Sequence, residues 1–510
     1  MKSAVFMVIA TVMAKALGLV RDMLIAAHYG TTVEAVAYDA ASRLPILLFD
    51  FVIGGVVTAA FIPIFNELLV KKGRDEAFKF ADHYVTLILL VTVIIALIGV
   101  LFAAPLVEFL IPDAADEAKI MAVELTRIMF PMIIFTGLAF AFVGVLLSLG
   151  EFRIPAIISL VSNGVMVIYL FSLDRVFGVI GLSVSMLIGW LLQAIVQIPR
   201  LNSLGYRYRM RLSLGSPYIK QAAKGALPIL LGTWTGPVCS LINTRFASGI
   251  EAGRAVTALG YANRFYTILI GVFSYVATNL LFPYISKATA GGEKEEANKL
   301  MLSSIRILML VIMPITAGLM VLSEPLVSIV YQRGEFNAQD VAMTAEALGF
   351  YTVGMVFAAA NEVLTKAFFA RKEFKIPMYA SICAMGVNFA LVFFFAKSFG
   401  VGGIALSSGI AVAAGCIFNY IALLKRDKVL FVWSDVKNLL KMAVSSLVMA
   451  VSVYFVSSAV SGNLAKLILG VLTGVGVYFI MCVILKVEEI GYLMNALRSK
   501  FLSKNGGSDD

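Results

Sequence analysis

This chain of 510 residues predicts an all-α polytopic membrane fold of about fourteen spanning helices, at ~20 residues per span. Three observations carry that expectation: composition, the spacing of apolar runs, and an internal repeat. The chain is 60% hydrophobic and 14% charged, with a mean hydropathy of +0.94, outside the range of water-soluble globular domains.

Apolar runs near 4–27, 36–65, 84–111, 121–148, 154–173, 178–200, 223–248, 256–286, 303–330, 341–369, 376–397, 401–424, 437–459 and 463–485 are each close to the length a bilayer-crossing helix needs. The first run carries Lys15, Arg21 and Asp22 and has no small-residue cleavage site after it, so it reads as a retained helix rather than a signal peptide. Prolines inside runs (Pro45, Pro131, Pro228, Pro237, Pro314) remove backbone donors and predict bends.

Positive residues in short loops stay on the cytoplasmic side. With the N-terminus inside, 28 of the 41 Lys and Arg fall in cytoplasmic segments, six on the opposite side and seven within runs. Both termini are therefore expected in the cytoplasm. The net charge of +10 is then mostly topological, and YRYRMR (206–211) reads as a contact for anionic lipid headgroups, not nucleic acid.

Short signatures recur in order. ASRLP (41–45) pairs with ANRFY (262–266), FIP (61–63) with LFP (281–283), and APLV (104–107) with EPLV (324–327). EFRIP (151–155) pairs with EFKIP (373–377) and FGVIG (177–181) with FGVGG (399–403), both displaced by 222 residues. An offset of six helices, an even number, makes the halves parallel repeats. The expected organisation is a six-helix bundle over 1–200, a basic cytoplasmic linker at 201–222, a second six-helix bundle over 223–424, two additional helices over 425–485 and a cytoplasmic tail at 486–510. The two bundles would enclose a central cavity, a transporter's working part.

Charge inside apolar runs marks candidate function, because an unpaired Lys, Arg or Asp at mid-membrane costs about 2.5–3.5 kcal/mol even on insertion-based scales. Asp39, Arg43, Asp50 and Gly54 share one face of the second run, and Thr11, Lys15, Gly18 and Asp22 one face of the first. Arg264, Thr267, Gly271, Tyr275 and Thr278 do the same in the eighth. Arg21, Arg43 and Arg264 each lie roughly 9–12 Å from the outer end of their runs at 1.5 Å per residue. Lys15, Arg21, Asp22, Arg43 and Arg264 form the candidate substrate site, with Asp39, Asp50 and Arg245 as a supporting polar seam. The competing structural reading has each arginine neutralising a neighbouring acid or snorkelling to the interface. Glu362 with Lys366 and Glu124 with Arg127 read as self-neutralised pairs.

Catalytic signatures are absent: there is no GxxxxGK[ST], GxSxG or HExxH in the chain, and no enzyme activity or cofactor is expected. All four cysteines lie in apolar runs without CxxC spacing, and there are two histidines, His28 and His83; neither a disulfide framework nor a metal site is supported.

GLVRDMLIAAHYG (18–30), SRLP (42–45), FIPIFNEL (61–68), YANRF (261–265), FPYISK (282–287) and YQRGEFNAQD (331–340) together resemble the MurJ/MviN family of the multidrug/oligosaccharidyl-lipid/polysaccharide exporter superfamily. The resemblance covers nearly the whole chain, the two extra C-terminal helices included. It implies flipping of lipid II, the undecaprenyl-pyrophosphate-linked peptidoglycan precursor, in the bacterial inner membrane, with cell-wall synthesis proteins as further partners. It carries Arg21, Asp22 and Arg264 over as family positions. A diphosphate needs cations in a low-dielectric site, and arginine's planar fork suits it.

The chain departs from the family at several places. Lys15 stands where many members have arginine, Phe49, Asp50 and Gly54 where an arginine pair and a glutamate are frequent, and Thr267 where some have an acid. Thr244 and Val392 occupy the places of acids attributed to a sodium site in some members. Alternatives within the superfamily are an exporter of another polyprenyl-linked glycan, one acting in sporulation, or a drug/cation antiporter, whose cavity would favour anionic side chains. From another class, a non-transporting scaffold for cell-wall enzymes would tolerate neutral residues in place of the buried arginines.

Overall fold

The computed structural model describes residues 2–52, 60–213, 215–224, 234–276, 282–291, 293–371, 373–427 and 433–491, and among these every regular element is helical. Helices are the expected outcome in lipid, where each backbone N–H and C=O must find its partner within the segment. The first stretch holds α1 (Lys2–Tyr29), α2 (Val33–Val52), α3 (Ile62–Lys71), α4 (Arg74–Leu101), α5 (Ala103–Leu110), α6 (Asp116–Met129) and α7 (Met132–Ser148). Then come α8 (Arg153–Ser172), α9 (Asp174–Ile195), α10 (Ile198–Ser203), α11 (Thr235–Ala247), α12 (Arg254–Val276) and α13 (Phe282–Ala290). The remainder holds α14 (Lys294–Tyr331), α15 (Ala338–Val353), α16 (Met355–Ala370), α17 (Lys375–Asp427), α18 (Trp433–Ala459) and α19 (Asn463–Ile484).

Seven described helices are long and apolar enough to cross a membrane, or nine when each of two bent pairs counts as one span. The pairs are α6 with α7, bent by 42°, and α15 with α16, bent by 43°. Pro131, lacking an N–H, stands at the first break. Other prolines behave differently: Pro45 and Pro314 lie within continuous helices, Pro237 falls in the first turn of α11, and Pro228 is outside the described residues. The runs at 376–397 and 401–424 join as α17 through a kink at Phe399–Gly400.

Two compact units emerge. One comprises Met1–Gly260 with Arg333–Asp340, the other Tyr261–Gln332 with Val341–Asp510, so the boundary falls inside α12. The first unit's core is aromatic: Phe61 just before α3, Phe65 of α3, and Phe80 and Tyr84 of α4 pack with Ile133, Val145 and Leu146 of α7, and Phe61 stacks on Phe80 at 5.4 Å. In the second, Met301, Leu308 and Ile312 of α14 meet Met355 and Val363 of α16, Met442 of α18 and Cys482 of α19.

Candidate functional site

Inside the first unit the charges of the first two apolar runs form two groups. On α1, Arg21 donates from Nε and Nη2 to Asp22 Oδ1 at 3.0 and 2.7 Å and from Nη1 to Asn163 Oδ1 on α8 at 2.8 Å. Arg21's side chain is 19% exposed and Asp22's 10%. A carboxylate and an amide thus hold a cation in an otherwise apolar helix, which makes its burial tolerable. Lys15, one of the candidate residues on the same helix, is exposed.

The second group lies on α2. Arg43 Nε donates to Asp39 Oδ2 at 2.8 Å, an i, i+4 pair, and Nη1 reaches Thr244 Oγ1 on α11 at 3.3 Å. Thr244 is buried and accepts from the arginine. Gly260 closes over this pair: a Cβ at that position would meet Arg43 Nη2 at 2.9 Å. Asp50 is half-buried further along α2; Gly54 falls outside the described residues. Arg245 donates to the Phe109 carbonyl and its guanidinium sits 5.1 Å above the Phe109 ring, a cation–π contact that anchors α11 to α5.

Arg264 belongs to the second unit and is exposed on α12. Thr278 and the side chain of Tyr275, from the same seam, are outside the described residues. Glu362 and Lys366 pair at 3.5 Å, and Ser274 donates to Glu362 at 3.0 Å. Among the described residues no group of three potential metal ligands occurs.

The YQRGEFNAQD loop has a local logic of its own. Asn337 caps α15: its Oδ1 accepts from the Gln339 and Asp340 amides at 2.8 and 3.2 Å, and the Asn337 amide donates to Asp340 Oδ2 at 2.9 Å, a reciprocal capping box. Asp340, buried, also accepts from Thr31 and from Arg254 Nη2 at 2.6 Å. The Glu335 amide bonds the Ala27 carbonyl at 3.0 Å, so this loop is clasped by the α1–α2 turn.

The basic stretch at 206–211 lies along α4. The Arg209 amide donates to Asp82 Oδ1 at 3.1 Å, the Arg211 amide to Thr86 Oγ1 at 3.2 Å, and Tyr208 pairs with Thr86 at 2.9 Å. Burial, then the Asp82 carboxylate, pushes the Tyr206 phenol far above its usual value. Arg207 and Arg209 remain exposed.

Residue chemistry in the sequence marked Arg21, Asp22, Asp39 and Arg43; it missed Asn163 and Gly260, and it named Thr244 only as a place without an acid, not as a partner of Arg43. A lone amide within the apolar run of α8 was the available signal for Asn163.

A chain whose regular elements are all helical among the described residues, with bent spans in each half and arginine–carboxylate groups in apolar helices, is a multi-pass membrane transporter. Its fold is shared with an inward-facing multidrug resistance MATE transporter of the MOP superfamily: TM-score 0.68, 14% identity, covering 84% of this chain and 98% of the other. The particular family is narrower, since the model of the lipid II flippase MurJ matches residues 25–473, and the chain belongs to that family. It is similar to a probable lipid II flippase MurJ of Bdellovibrio bacteriovorus, 27% identical over 501 residues, 96% of this chain and 95% of the relative. A solved lipid II flippase MurJ in an inward closed conformation superposes with a TM-score of 0.82 at 24% identity, covering 95% of this chain and 100% of that one. A member of a flippase family moves its substrate without transforming it; this chain is a transporter and not an enzyme.

Proposed function

We propose that this chain flips lipid II from the inner to the outer leaflet of the bacterial inner membrane by alternating access. The six-helix halves, 1–200 and 223–424 in the sequence, are the alternating parts, and the basic segment at 201–222 is their linker. Arg21 holds the diphosphate, with Arg43, Arg264 and Lys15 as further cations; Asp22, Asp39, Asp50 and Arg245 set their positions and balance their charge. The observation that carries this reading is the Arg21 group, a cation kept inside an apolar helix by two polar partners, where the cost of burial needs a function to justify it.

Both termini and the 206–211 stretch face the cytoplasm, where Arg207 and Arg209 meet anionic headgroups; the wall-building enzymes of the outer leaflet consume the cargo. The test is depletion of a native lipid II flippase with this chain supplied in its place, scoring survival and outer-leaflet lipid II. Growth arrest with the chain abundant in the membrane would sink the proposal. For orientation, cysteines at Gly73, Gly292 and Ser503 should be shielded from an impermeant thiol reagent in intact cells, and one at Asn337 labelled.

A further inference from the structure

Asn163 lies on α8 and is 8% exposed, in a stretch (LVSNGVMV, 160–167) with little else to offer a polar partner. Both ends of its amide are engaged with α1. Nδ2 donates to the Ala14 carbonyl at 3.3 Å and Oδ1 accepts from Arg21 Nη1 at 2.8 Å. Only one amide orientation serves both contacts, because a carbonyl can only accept and a guanidinium only donate. The side chain therefore spans two turns of α1 with its oxygen fixed toward the arginine. Gly18, between those turns, leaves the space: a Cβ there would stand 3.4 Å from Nδ2.

The consequence lies in the arginine's remaining hydrogens. A guanidinium has five N–H groups in a rigid fork. Asp22 takes one from Nε and one from Nη2, and Asn163 takes one from Nη1. One N–H is left on each terminal nitrogen, the pair that grips two oxygens of a phosphate side by side. Asp22 alone would leave Nη1 unrestrained about the axis of that contact.

We propose that Asn163 is a positioning residue for diphosphate recognition, tethering Nη1 of Arg21 so that the two free N–H groups form a preset bidentate clamp. The inference rests on the reading of Arg21 as the diphosphate ligand. It reaches past charge: a cation at position 21 is needed for attraction, and an amide at 163 is needed to preset the direction of the two-oxygen grip, which lowers the cost of ordering the fork on binding.

The test uses the full-length purified protein with farnesyl diphosphate and farnesyl monophosphate as probes. Asn163→Leu keeps the volume and removes the tether; affinity for both probes should fall ~10-fold, the loss of about one charge-assisted hydrogen bond, because each presents two oxygens on one phosphorus to the clamp. In an Arg21→Lys background the same substitution should change neither affinity further, because the fork it positions is gone. Asn163→Ala, which removes the same acceptor without added bulk, gives an independent reading should the leucine variant fail to fold; affinity should again fall. Unchanged affinity in folded Asn163→Leu or Asn163→Ala, or an equal further loss in the Arg21→Lys background, overturns the assignment of Asn163 when Arg21→Ala does weaken binding. Unchanged binding in Arg21→Ala instead overturns the underlying reading of Arg21.

Discussion

The two repeat-related halves agree in their bends and disagree in their charges. Gly178 and Gly400, 222 residues apart in FGVIG and FGVGG, have φ of 52° in both cases, with ψ of −148° and −135°. The bent pairs differ by a single degree. The corners match as well: the Glu151 amide bonds the Leu146 carbonyl at 2.9 Å and the Glu373 amide the Phe368 carbonyl at 3.0 Å, and each glutamate then pairs at 2.5 Å with an arginine, Arg200 in one half and Arg426 in the other. The embedded charges follow no such symmetry. Arg43 has Asp39 one turn before it, whereas one turn before Arg264 the chain has Gly260. Arg43 is largely buried and Arg264 exposed. Duplication kept the backbone geometry of kinks and corners and left the charges to diverge, so the halves are alike in backbone and unlike in charge.

The sharpest way to break that view is at Arg21, whose partners all lie in the first half. Arg21→Ala removes the cation and strands Asp22 in an apolar helix; breaking a buried pair of this kind costs about 3–5 kcal/mol, and transport should be all but abolished. Arg21→Lys keeps the charge without the planar fork and should retain partial transport. Asp22→Asn should bind a diphosphate lipid more tightly and turn it over more slowly. Normal binding and turnover in Arg21→Ala would remove Arg21 from the site.

A smaller effect is expected at the repeat-related arginines. Arg43→Ala and Arg264→Ala should each lower flipping at near-normal abundance, and the double variant should lose less than the two losses combined, because groups serving one ligand are not additive. Strict additivity would leave them as separate structural cations, and the halves as unequal in function as they are in chemistry.

How much of this was legible differs by level. The apolar runs locate the helices because a bilayer imposes length on each span, whereas the match of FGVIG with FGVGG marked the duplication without disclosing a kink in either copy or the left-handed φ at its second residue. The bend between α6 and α7 was signalled by Pro131; its counterpart at Gly354 carried no proline and was silent. In the site, Arg21, Asp22, Asp39 and Arg43 stood out because charge is expensive in an apolar run and their pairing is local. Asn163, Thr244 and Gly260 lie 142, 201 and 217 residues from the arginines they touch. Each is neutral, and only tertiary packing places it against an arginine.

Gly178→Ala and Gly400→Ala sharpen the backbone side of the comparison. Nothing lies within 4 Å of a Cβ at either position, so the cost is purely conformational, about 1–3 kcal/mol for a non-glycine residue in a sparsely populated region. Equal losses of thermal stability in detergent, with similar losses of transport, would mark the kinks as equivalent. A large loss at one and none at the other would show that the halves have diverged in backbone as well as in charge.

The smallest effect belongs to the corner at Glu151. Its carboxyl is buried, which alone would raise its pKa, but the Arg153 amide at 2.9 Å and the Arg200 guanidinium outweigh burial and hold it below the usual glutamate range. A carboxylate with a depressed folded-state pKa contributes stability that is fully present above the unfolded value of about 4.3 and is lost as pH falls through the folded value. Arg200 is 45% exposed, so solvent screening limits the pair to a few tenths of a kcal/mol up to about 1. Glu151→Gln should therefore lower the thermal midpoint slightly at pH 7, and the gap between variant and parent should close as the medium is acidified below about pH 4. If the matched corner is equivalent, Glu373→Gln should show a deficit of the same size at pH 7, since Arg426 is similarly exposed at 53%. A gap at Glu151 that stays constant from pH 7 to pH 3.5 would mean that the glutamate acts through packing and not through its charge, and the matched ion pairs would then be no more than a geometric echo of the duplication.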